Sequence, residues 1–320
     1  MTRSFVTGIG GQDGSYLAEQ LIAGGAEVHA LAHVDEGPGR FCPSEVEVHD
    51  GDLADIDGVR RLLLDLAPDE IYNLAAVSSV AQSWERPDLS ALVNGTAAVA
   101  LLESAHQVQE RSGHPVRFVQ ASSAEMFGEP DRSPQDESTR IRPLNPYGAA
   151  KAYAHLMVDV YRTRDLHASA VILYNHESPR RPPRFVTRKI TSTVAAISRG
   201  EADSLILGNL DARRDWGWAP DYTDAMVRAS RADVPGDYVV ATGEGHSVRD
   251  FVAAAFGHVG ITDWQPLVAT DPSFVRPADS TDLVGDATRA RRDLGWAPTL
   301  AFAEIVALMV DADITGIPGR

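Results

Sequence analysis

The 320-residue chain carries 45 acidic and 29 basic side chains, which give a net charge of −16 at pH 7. This charge opposes binding to nucleic acid, although a local pocket of arginines can still hold a small phosphorylated ligand. The single Cys42 excludes an internal disulfide and fits a reducing compartment. No apolar run reaches the roughly 20 residues of a membrane helix, and no signal-like segment follows Met1. We therefore expect a cytoplasmic protein without nucleic-acid or membrane partners.

The first half of the chain alternates short apolar runs with longer amphipathic stretches, which is the pattern of βαβ units and a parallel sheet. Prolines 179, 182 and 183 then interrupt the pattern before a further helix at 186–199. The sequence thus predicts an α/β fold: a Rossmann-type doubly wound parallel sheet in a domain spanning 1–174, and a smaller α/β substrate-binding lobe spanning 175–320 with some segments returning to the first domain. The predicted strands are 4–7, 27–31, 70–74, 117–120 and 168–173, and the predicted helices are 15–23, 56–66, 89–106 and 146–162.

A glycine-rich turn follows the first predicted strand. Gly8, Gly11 and Gly14 form a Gly-x-x-Gly-x-x-Gly run at the start of a helix. Small residues let the backbone approach a pyrophosphate, which free N–H groups and the helix dipole stabilise. The turn therefore indicates dinucleotide binding, and a purely structural glycine turn is the alternative.

The ends of the next strands are the other candidate cofactor contacts. The second strand ends at Leu31, Ala32 and His33, without the acid that binds a ribose diol or the arginine that binds a 2′-phosphate. Asp35 follows closely and Arg40 a little later, so NAD and NADP both remain open. Later strand ends offer contacts to adenine and pyrophosphate, or are ordinary strand ends. They are Asp52 and Leu53, and then Leu74, Ala75, Ala76 and Ser78.

Tyr147 and Lys151 stand four residues apart on the helix predicted to begin at Pro146, so both lie on one face. An ammonium beside a phenol favours the phenolate, which predicts a pKa of Tyr147 below its ordinary value of about 10. The chain has two lysines, Lys151 and Lys189, so each marks a position where a compact ammonium is needed. A chance pair in an ordinary helix is the alternative.

Ser123 and Glu125 follow the strand predicted at 117–120, at the edge of the sheet where open α/β folds bind ligands. Ser123 offers a hydrogen bond to a reacting hydroxyl, and Glu125 offers a general base if its surroundings raise its pKa. The alternative is a helix-cap pair. No metal ligands are predicted.

Several longer segments have a more specific pattern. They read GIGGQDGSYLAE at 8–19, YNHESPRR at 174–181, FVTRKIT at 185–191, GNLDARRDWG at 208–217, RPAD at 276–279 and LGWAP at 294–298. With them the chain resembles the GDP-mannose 4,6-dehydratase family of extended short-chain dehydrogenases/reductases over nearly its whole length.

This resemblance implies a catalytic trio of Ser123, Glu125 and Tyr147, with Lys151 supporting the tyrosine and the cofactor. With the residues above, the predicted cofactor contacts are Gly8, Gly10, Gly11, Gln12, Asp13, His33, Asp52, Leu53, Leu74, Ala75, Ala76, Ser78, Tyr147, Lys151, His176 and Arg181. The predicted substrate contacts are Ser78, Ser123, Glu125, Asn175, Lys189, Gly208, Arg214 and Arg276.

The family implies a hydro-lyase that acts on GDP-mannose or a related nucleotide sugar with NADP, in a homodimer or homotetramer, and NAD is not excluded. Three positions depart from its pattern: Ser123 replaces a threonine, Asp279 replaces a glutamate, and only His33 among residues 32–34 can be cationic. The rival interpretations are an NAD(P)H-dependent 4-keto nucleotide-sugar reductase, a nucleotide-sugar epimerase and a non-enzymatic nucleotide sensor. Glu125 favours the dehydratase.

Overall fold

The computed structural model describes residues 1–274 and 282–316. Its strands are β1 (Arg3–Thr7), β2 (Glu27–Ala32), β3 (Glu47–Asp50), β4 (Glu70–Asn73), β5 (Arg117–Ser123), β6 (His167–Leu173), β7 (Asn175–Glu177), β8 (Leu205–Leu207), β9 (Arg213–Trp218), β10 (Asp237–Val240), β11 (Gly245–Ser247), β12 (Val268–Thr270) and β13 (Asp282–Leu283). Its helices are α1 (Gln12–Ala23), α2 (Ile56–Leu66), α3 (Val80–Glu85), α4 (Pro87–Ala91), α5 (Ala97–Ser112), α6 (Pro146–Arg162), α7 (Val186–Ser198), α8 (Ala219–Arg231), α9 (Val248–His258), α10 (Thr288–Leu294) and α11 (Phe302–Thr315). Within these ranges no helix is both long and apolar enough to cross a bilayer.

The larger sheet has seven parallel strands in the order β10-β6-β5-β4-β1-β2-β3. The chain starts near the middle at β1, moves outward to β3 and then crosses back to β4. Strand order therefore reverses between β1 and β4, and ligands bind outside the carboxyl ends of the strands at such a point. The predicted Rossmann-type α/β fold is confirmed. β10 completes the sheet beside β6, although it comes from the second half of the chain.

Alternating side chains along each strand fill a separate apolar core on either face of this sheet. On β2, Val28 and Ala30 pack in a core that includes Leu17 of α1. Leu31 packs on the opposite face, in a core that includes Leu63 of α2. A third core joins α7, α9 and α11 to β8 and β9, and it holds the second lobe together.

The predicted helix at 89–106 is present, but it is not a regular α-helix throughout. A π-helical segment, Leu92–Thr96, separates α4 from α5. In this segment Asn94 is buried and makes two hydrogen bonds to the backbone of Val77. Its Oδ1 accepts from the Val77 amide at 2.8 Å, and its Nδ2 donates to the Val77 carbonyl oxygen at 3.2 Å. Hydrophobic spacing does not reveal such a turn, which often lies beside a functional site.

Candidate active site

A cleft of ≈ 860 Å³ lies at the carboxyl ends of the strands and is lined by residues of both lobes. It brings together these predicted site residues: Asp13, Leu74, Ala76, Ser78, Ser123, Glu125, Tyr147, Lys151, Asn175, His176, Arg181, Lys189, Gly208 and Arg214. The other candidates do not line the cleft: Gly8, Gly10, Gly11, Gln12, His33, Asp52, Leu53 and Ala75. Arg276 lies outside the described residues, as does Asp279.

The glycine turn packs too closely for side chains at two positions. A Cβ on Gly14 would lie 2.2 Å from the carbonyl oxygen of Gly8, and a Cβ on Gly8, at φ +80°, would lie 2.8 Å from the amide nitrogen of Ala75. Gly11 is the N-cap residue of α1 and has no side chain that could accept a hydrogen bond from the first turn of the helix. The N–H groups at this helix end are therefore not engaged by a side chain of the capping residue. This cradle fits the pyrophosphate of a dinucleotide.

Thr7 joins this turn to the loop that follows β4. Its hydroxyl oxygen accepts from the amides of Leu74 and Ala75, each at 3.1 Å, and its proton goes to Asn73 Oδ1 at 2.8 Å. Together with the Asn94 contacts, these bonds fix the loop that carries Ala76 and Ser78 along the cleft.

A buried ion pair lies at the start of α1. Nε2 of His176 lies 2.9 Å from Oδ2 of Asp13, and Nδ1 lies 2.7 Å from the carbonyl oxygen of Tyr174. Since both ring nitrogens face acceptors, the imidazolium form satisfies both contacts. Burial opposes that charge, but the Asp13 carboxylate outweighs it and raises the pKa of His176. Burial likewise opposes the Asp13 charge, and His176 with Gln12 holds the pKa of Asp13 below its usual range.

Gln12 bridges the two lobes beside this pair. Its Nε2 donates to the carbonyl oxygen of His176 at 3.1 Å, and its Oε1 accepts from Ser178 at 2.7 Å. Gln12 therefore holds the segment after β7 against the glycine turn without lining the cleft itself.

His33 lies at the carboxyl end of β2, where an adenosine ribose is expected. Its Nε2 lies 3.8 Å from Asp52 and its Nδ1 lies 3.9 Å from Asp35. Gly39, at φ +77°, packs against the Gly10 backbone, so the loop after His33 folds over the glycine turn. A cation at His33 would thus have two carboxylates beside it.

Tyr147 and Lys151 lie on the first turns of α6, and both face the cleft. Lys151 is buried, its Nζ donates to the Ala121 carbonyl at 2.9 Å, and it lies 5.9 Å from the Tyr147 ring centroid. Burial lowers the pKa of Lys151 to about 8. Burial also raises the pKa of Tyr147 to about 12, although a hydrogen bond with Ser123 opposes the rise. The predicted lowering of the Tyr147 pKa is therefore wrong, because desolvation exceeds the effect of a lysine at this distance.

Ser123 is the last residue of β5, and Glu125 lies in the short 3-10 turn, Ala124–Met126, that directly follows it. Ser123 Oγ accepts from the Glu125 amide at 3.2 Å, so the helix-cap contact is present at a position that also faces the cleft. Asn145 Nδ2 donates to Glu125 Oε2 at 2.8 Å, and Asn145 Oδ1 accepts from the Gly148 amide at 2.8 Å. Asn145 thus begins α6 and holds Glu125 beside Tyr147.

The segment after β7 supplies a second buried charge pair. Glu177 accepts a 2.6 Å bond from the Thr187 hydroxyl and lies 3.3 Å from Nε of Arg181. Burial raises the pKa of Glu177, and the neighbouring guanidinium opposes this rise. The Arg181 guanidinium lies over the Phe185 ring, 3.8 Å from its centroid.

The remaining substrate-contact candidates come from the second half of the chain. Lys189 Nζ lies 4.1 Å from the Phe274 ring centroid, and Gly208 packs so closely that a Cβ would meet the Phe274 carbonyl at 2.7 Å. Arg214 is buried in the cleft wall, so it is not a surface residue. Because β7 and β9 pair, Asn175 and Arg214 lie on neighbouring strands.

Four residues that support the site were not among the predicted ones. Thr7, Asn94 and Asn145 act through contacts distant in sequence, and Glu177 acts through side-chain contacts with Arg181 and Thr187 in the segment that follows it. Asn145 before Pro146 is the one with a local signal, since asparagine followed by proline is a typical helix start.

Comparison with known proteins agrees with this geometry. A family model described as "GDP-mannose 4,6 dehydratase" matches residues 5–309. The chain belongs to the GDP-mannose 4,6-dehydratase family. "GDP-mannose 4,6 dehydratase 2" of Arabidopsis thaliana is 44% identical over 97% of this chain and 86% of its own length. "GDP-mannose 4,6 dehydratase" of Homo sapiens is 40% identical over 97% of this chain and 91% of its own length.

Among solved structures, UDP-glucose 4-epimerase of Thermus thermophilus, in complex with NAD, resembles this chain with a TM-score of 0.85. It is 30% identical, and the match covers 99% of this chain and 100% of the epimerase. The dehydratase family therefore shares its architecture with an epimerase, so the reaction must be argued from the side chains in the cleft.

Proposed function

We propose that this protein is a nucleotide-sugar 4,6-dehydratase that converts GDP-mannose to GDP-4-keto-6-deoxymannose with a nicotinamide dinucleotide as cofactor. The observation that carries the proposal is the convergence of Ser123, Glu125, Tyr147 and Lys151 in one cleft. A second general base beside a Tyr/Lys pair suits an elimination coupled to oxidation.

When bound, a nicotinamide dinucleotide would supply the acceptor for a hydride from C4 of the sugar and the donor of a hydride to C6. Tyr147 Oη accepts the proton of the 4-hydroxyl and Ser123 Oγ orients that oxygen, while Lys151, one turn from Tyr147 on α6, would hold the nicotinamide ribose. The 4-ketone acidifies C5, and Glu125 removes the C5 proton. That proton leaves with the C6 hydroxyl as water, and the proton held by Tyr147 is available for return to C5. The net change is the loss of one water.

The cleft has room for both the nucleoside diphosphate and the sugar of the substrate. Arg214 and Lys189 supply positive charge for the diphosphate, and Asn175 and Ser78 offer hydrogen bonds to the sugar. Arg276 belongs to the same proposal by family resemblance. We place the cofactor against Gly8, Gly11 and Asp13, with its nicotinamide end beside Lys151.

For the cofactor we propose NADP, the choice that the family resemblance implies, with His33 at the 2′-phosphate. Because Asp35 and Asp52 flank His33, we expect a smaller preference over NAD than an arginine would give. The ratio of the NAD and NADP dissociation constants measures this preference. Replacing both aspartates with asparagine should increase the ratio, and an unchanged or reversed ratio would place the 2′-phosphate elsewhere.

The decisive experiment incubates the purified protein with GDP-mannose and no added reductant, and follows the product by mass spectrometry. A product lighter by one water supports the dehydratase. A product of unchanged mass indicates the epimerase, stoichiometric NADPH consumption with a 4-keto sugar indicates the reductase, and binding without turnover indicates the sensor.

Glu125→Gln tests the elimination step within this assay. The amide cannot take the C5 proton, so water loss should stall while oxidation at C4 continues slowly. Glu129→Gln is the matched control, since Glu129 is exposed and does not line the cleft. Normal turnover of Glu125→Gln would remove Glu125 from the mechanism. A cytoplasmic homodimer or homotetramer completes the proposal, and light scattering after size-exclusion chromatography measures its assembly.

A further inference from the structure

A cluster of histidines and glutamates lies on β2 and β3, away from the cleft lining. Both strands carry a Glu-x-His pattern: Glu27 with His29, and Glu47 with His49. Residues two apart on a strand face the same side. The parallel register places His29 opposite Glu47, so both pairs share one face of the sheet edge.

Three side chains of this cluster, His29, Glu47 and His49, each offer a ligand atom, and these atoms all lie within 4.8 Å of one another. Nδ1 of His29 lies 3.0 Å from Nε2 of His49 and 3.7 Å from a carboxylate oxygen of Glu47. Nε2 of His49 lies 3.9 Å from the other Glu47 oxygen. Two ligands at about 2.1 Å from a tetrahedral zinc ion stand roughly 3.4 Å apart. The observed distances bracket that value, so small side-chain rotations would complete the geometry.

The remaining nitrogen of the buried histidine is also engaged. Nε2 of His29 lies 3.0 Å from Glu27 Oε1, and the Glu27 carboxylate in turn lies 3.4 Å from Nε of Arg3. A histidine that binds a metal usually donates its other N–H to a carboxylate, which orients the ring and increases its basicity. Glu27 occupies that outer position.

We propose that His29, Glu47 and His49 bind a divalent transition metal such as Zn²⁺, with Glu27 as the positioning residue. Two imidazoles and one carboxylate favour zinc and its neighbours over magnesium or calcium, which prefer oxygen ligands. The His29 side chain is 4% exposed and the Glu47 side chain is 66% exposed, so water can complete the coordination from the solvent side.

The expected consequence is structural. β3 is a four-residue strand at the edge of the sheet, and a shared metal would tie it to β2. The hydrogen bond between the two ring nitrogens requires one proton, and a bound metal would replace that proton. The metal takes no part in the proposed reaction.

The test uses untagged, full-length protein treated with a chelator and then titrated with Co²⁺. We expect one Co²⁺ per chain, with the visible absorption of a tetrahedral nitrogen and oxygen site, and full displacement by Zn²⁺. His49→Ala and Glu47→Gln should each weaken binding about tenfold or more, and Glu27→Gln should weaken it by about 10- to 100-fold. These side chains are more exposed than His29, so their replacement should spare the fold.

His258→Ala is the matched control, because His258 also pairs with a carboxylate, Asp311 at 2.7 Å. This variant should bind Co²⁺ like the unaltered protein. As a second readout, Zn²⁺ should raise the melting temperature of the unaltered protein and not that of His49→Ala. Absence of Co²⁺ absorption, or equal affinity in His49→Ala and the unaltered protein, would overturn the proposal.

Discussion

Replacing His176 with alanine should destabilise the protein, because it leaves the Asp13 carboxylate buried without its cation. The Asp13 side chain is 23% exposed and keeps a 3.0 Å hydrogen bond from Gln12. The expected loss of unfolding free energy is therefore near the lower end of the range for a broken buried ion pair, about 3 kcal/mol. The ring also stacks on Tyr222 with centroids 4.5 Å apart. Losing this contact adds roughly 0.5–1.5 kcal/mol.

Urea unfolding at pH 7, with refolding checked for reversibility, measures this loss as a lower midpoint. A double-mutant cycle with Asp13→Asn isolates the pair from the stacking contact. The double variant should lose much less than the sum of the two single losses, with a coupling of about 1.5–3 kcal/mol. Additive losses would refute the ion pair as the source of the effect.

The difference in unfolding free energy between the unaltered protein and His176→Ala should depend on pH in a direction that the two pKa shifts determine. The pKa of Asp13 is lowered, so its contribution is present above its unfolded value near 3.9 and is lost as pH falls through the folded value. The pKa of His176 is raised, so its contribution is complete below its unfolded value near 6.5 and is lost as pH rises through the folded value. The unaltered protein and His176→Ala should therefore differ most between about pH 4 and 6.5.

Three further changes test the site. Gly14→Ala puts a Cβ 2.2 Å from a backbone oxygen, so it should abolish cofactor binding or folding. Calorimetric titration measures the binding and the melting temperature measures the folding. A near-normal affinity for the cofactor would contradict the close packing. Lys151→Met should be inactive but more stable than the unaltered protein at neutral pH. Because burial lowers the pKa of Lys151 to about 8, the unaltered protein gains stability as pH rises from about 8 toward 10.5. Urea titrations of the variant should lack that rise. Asn145→Ala removes the helix cap and the bond to Glu125, so it should cost about 1 kcal/mol and slow water loss more than C4 oxidation; equal slowing would contradict the positioning role.

Local signals in the sequence predicted the parts of the fold that depend on local chemistry. α2 and α6 have the predicted bounds, because an aspartate and an asparagine–proline pair mark their starts and apolar spacing marks their length. α1 begins at Gln12, earlier than the predicted Ser15, because glycines in its first turn mask the helical pattern.

Features that depend on distant contacts left no local signal. The π-helical segment is built around the contact between Asn94 and Val77, and sequence spacing cannot show it. The rise in the Tyr147 pKa follows from how deeply the surrounding chain buries it, a quantity that the spacing to Lys151 does not contain. Asp35 and Asp52 were recognisable at the ends of β2 and β3, but the distances that place both carboxylates beside His33 depend on how the two strands and their loops pack.

The proposed distinction between this protein and an epimerase of the same architecture rests on a short stretch of chain. In the proposed mechanism the sheet, the glycine turn and the Tyr/Lys helix serve the oxidation at C4. In the proposed mechanism Glu125 is the second base that elimination needs, and Asn145 fixes its position, because the side chain that caps α6 also holds Glu125. Gly148 lets α6 approach the Glu125 backbone, where a Cβ would lie 2.5 Å from its carbonyl oxygen. In this proposal Glu125 is held to the same helix turn that carries Tyr147, so the two proton transfers would share one rigid support.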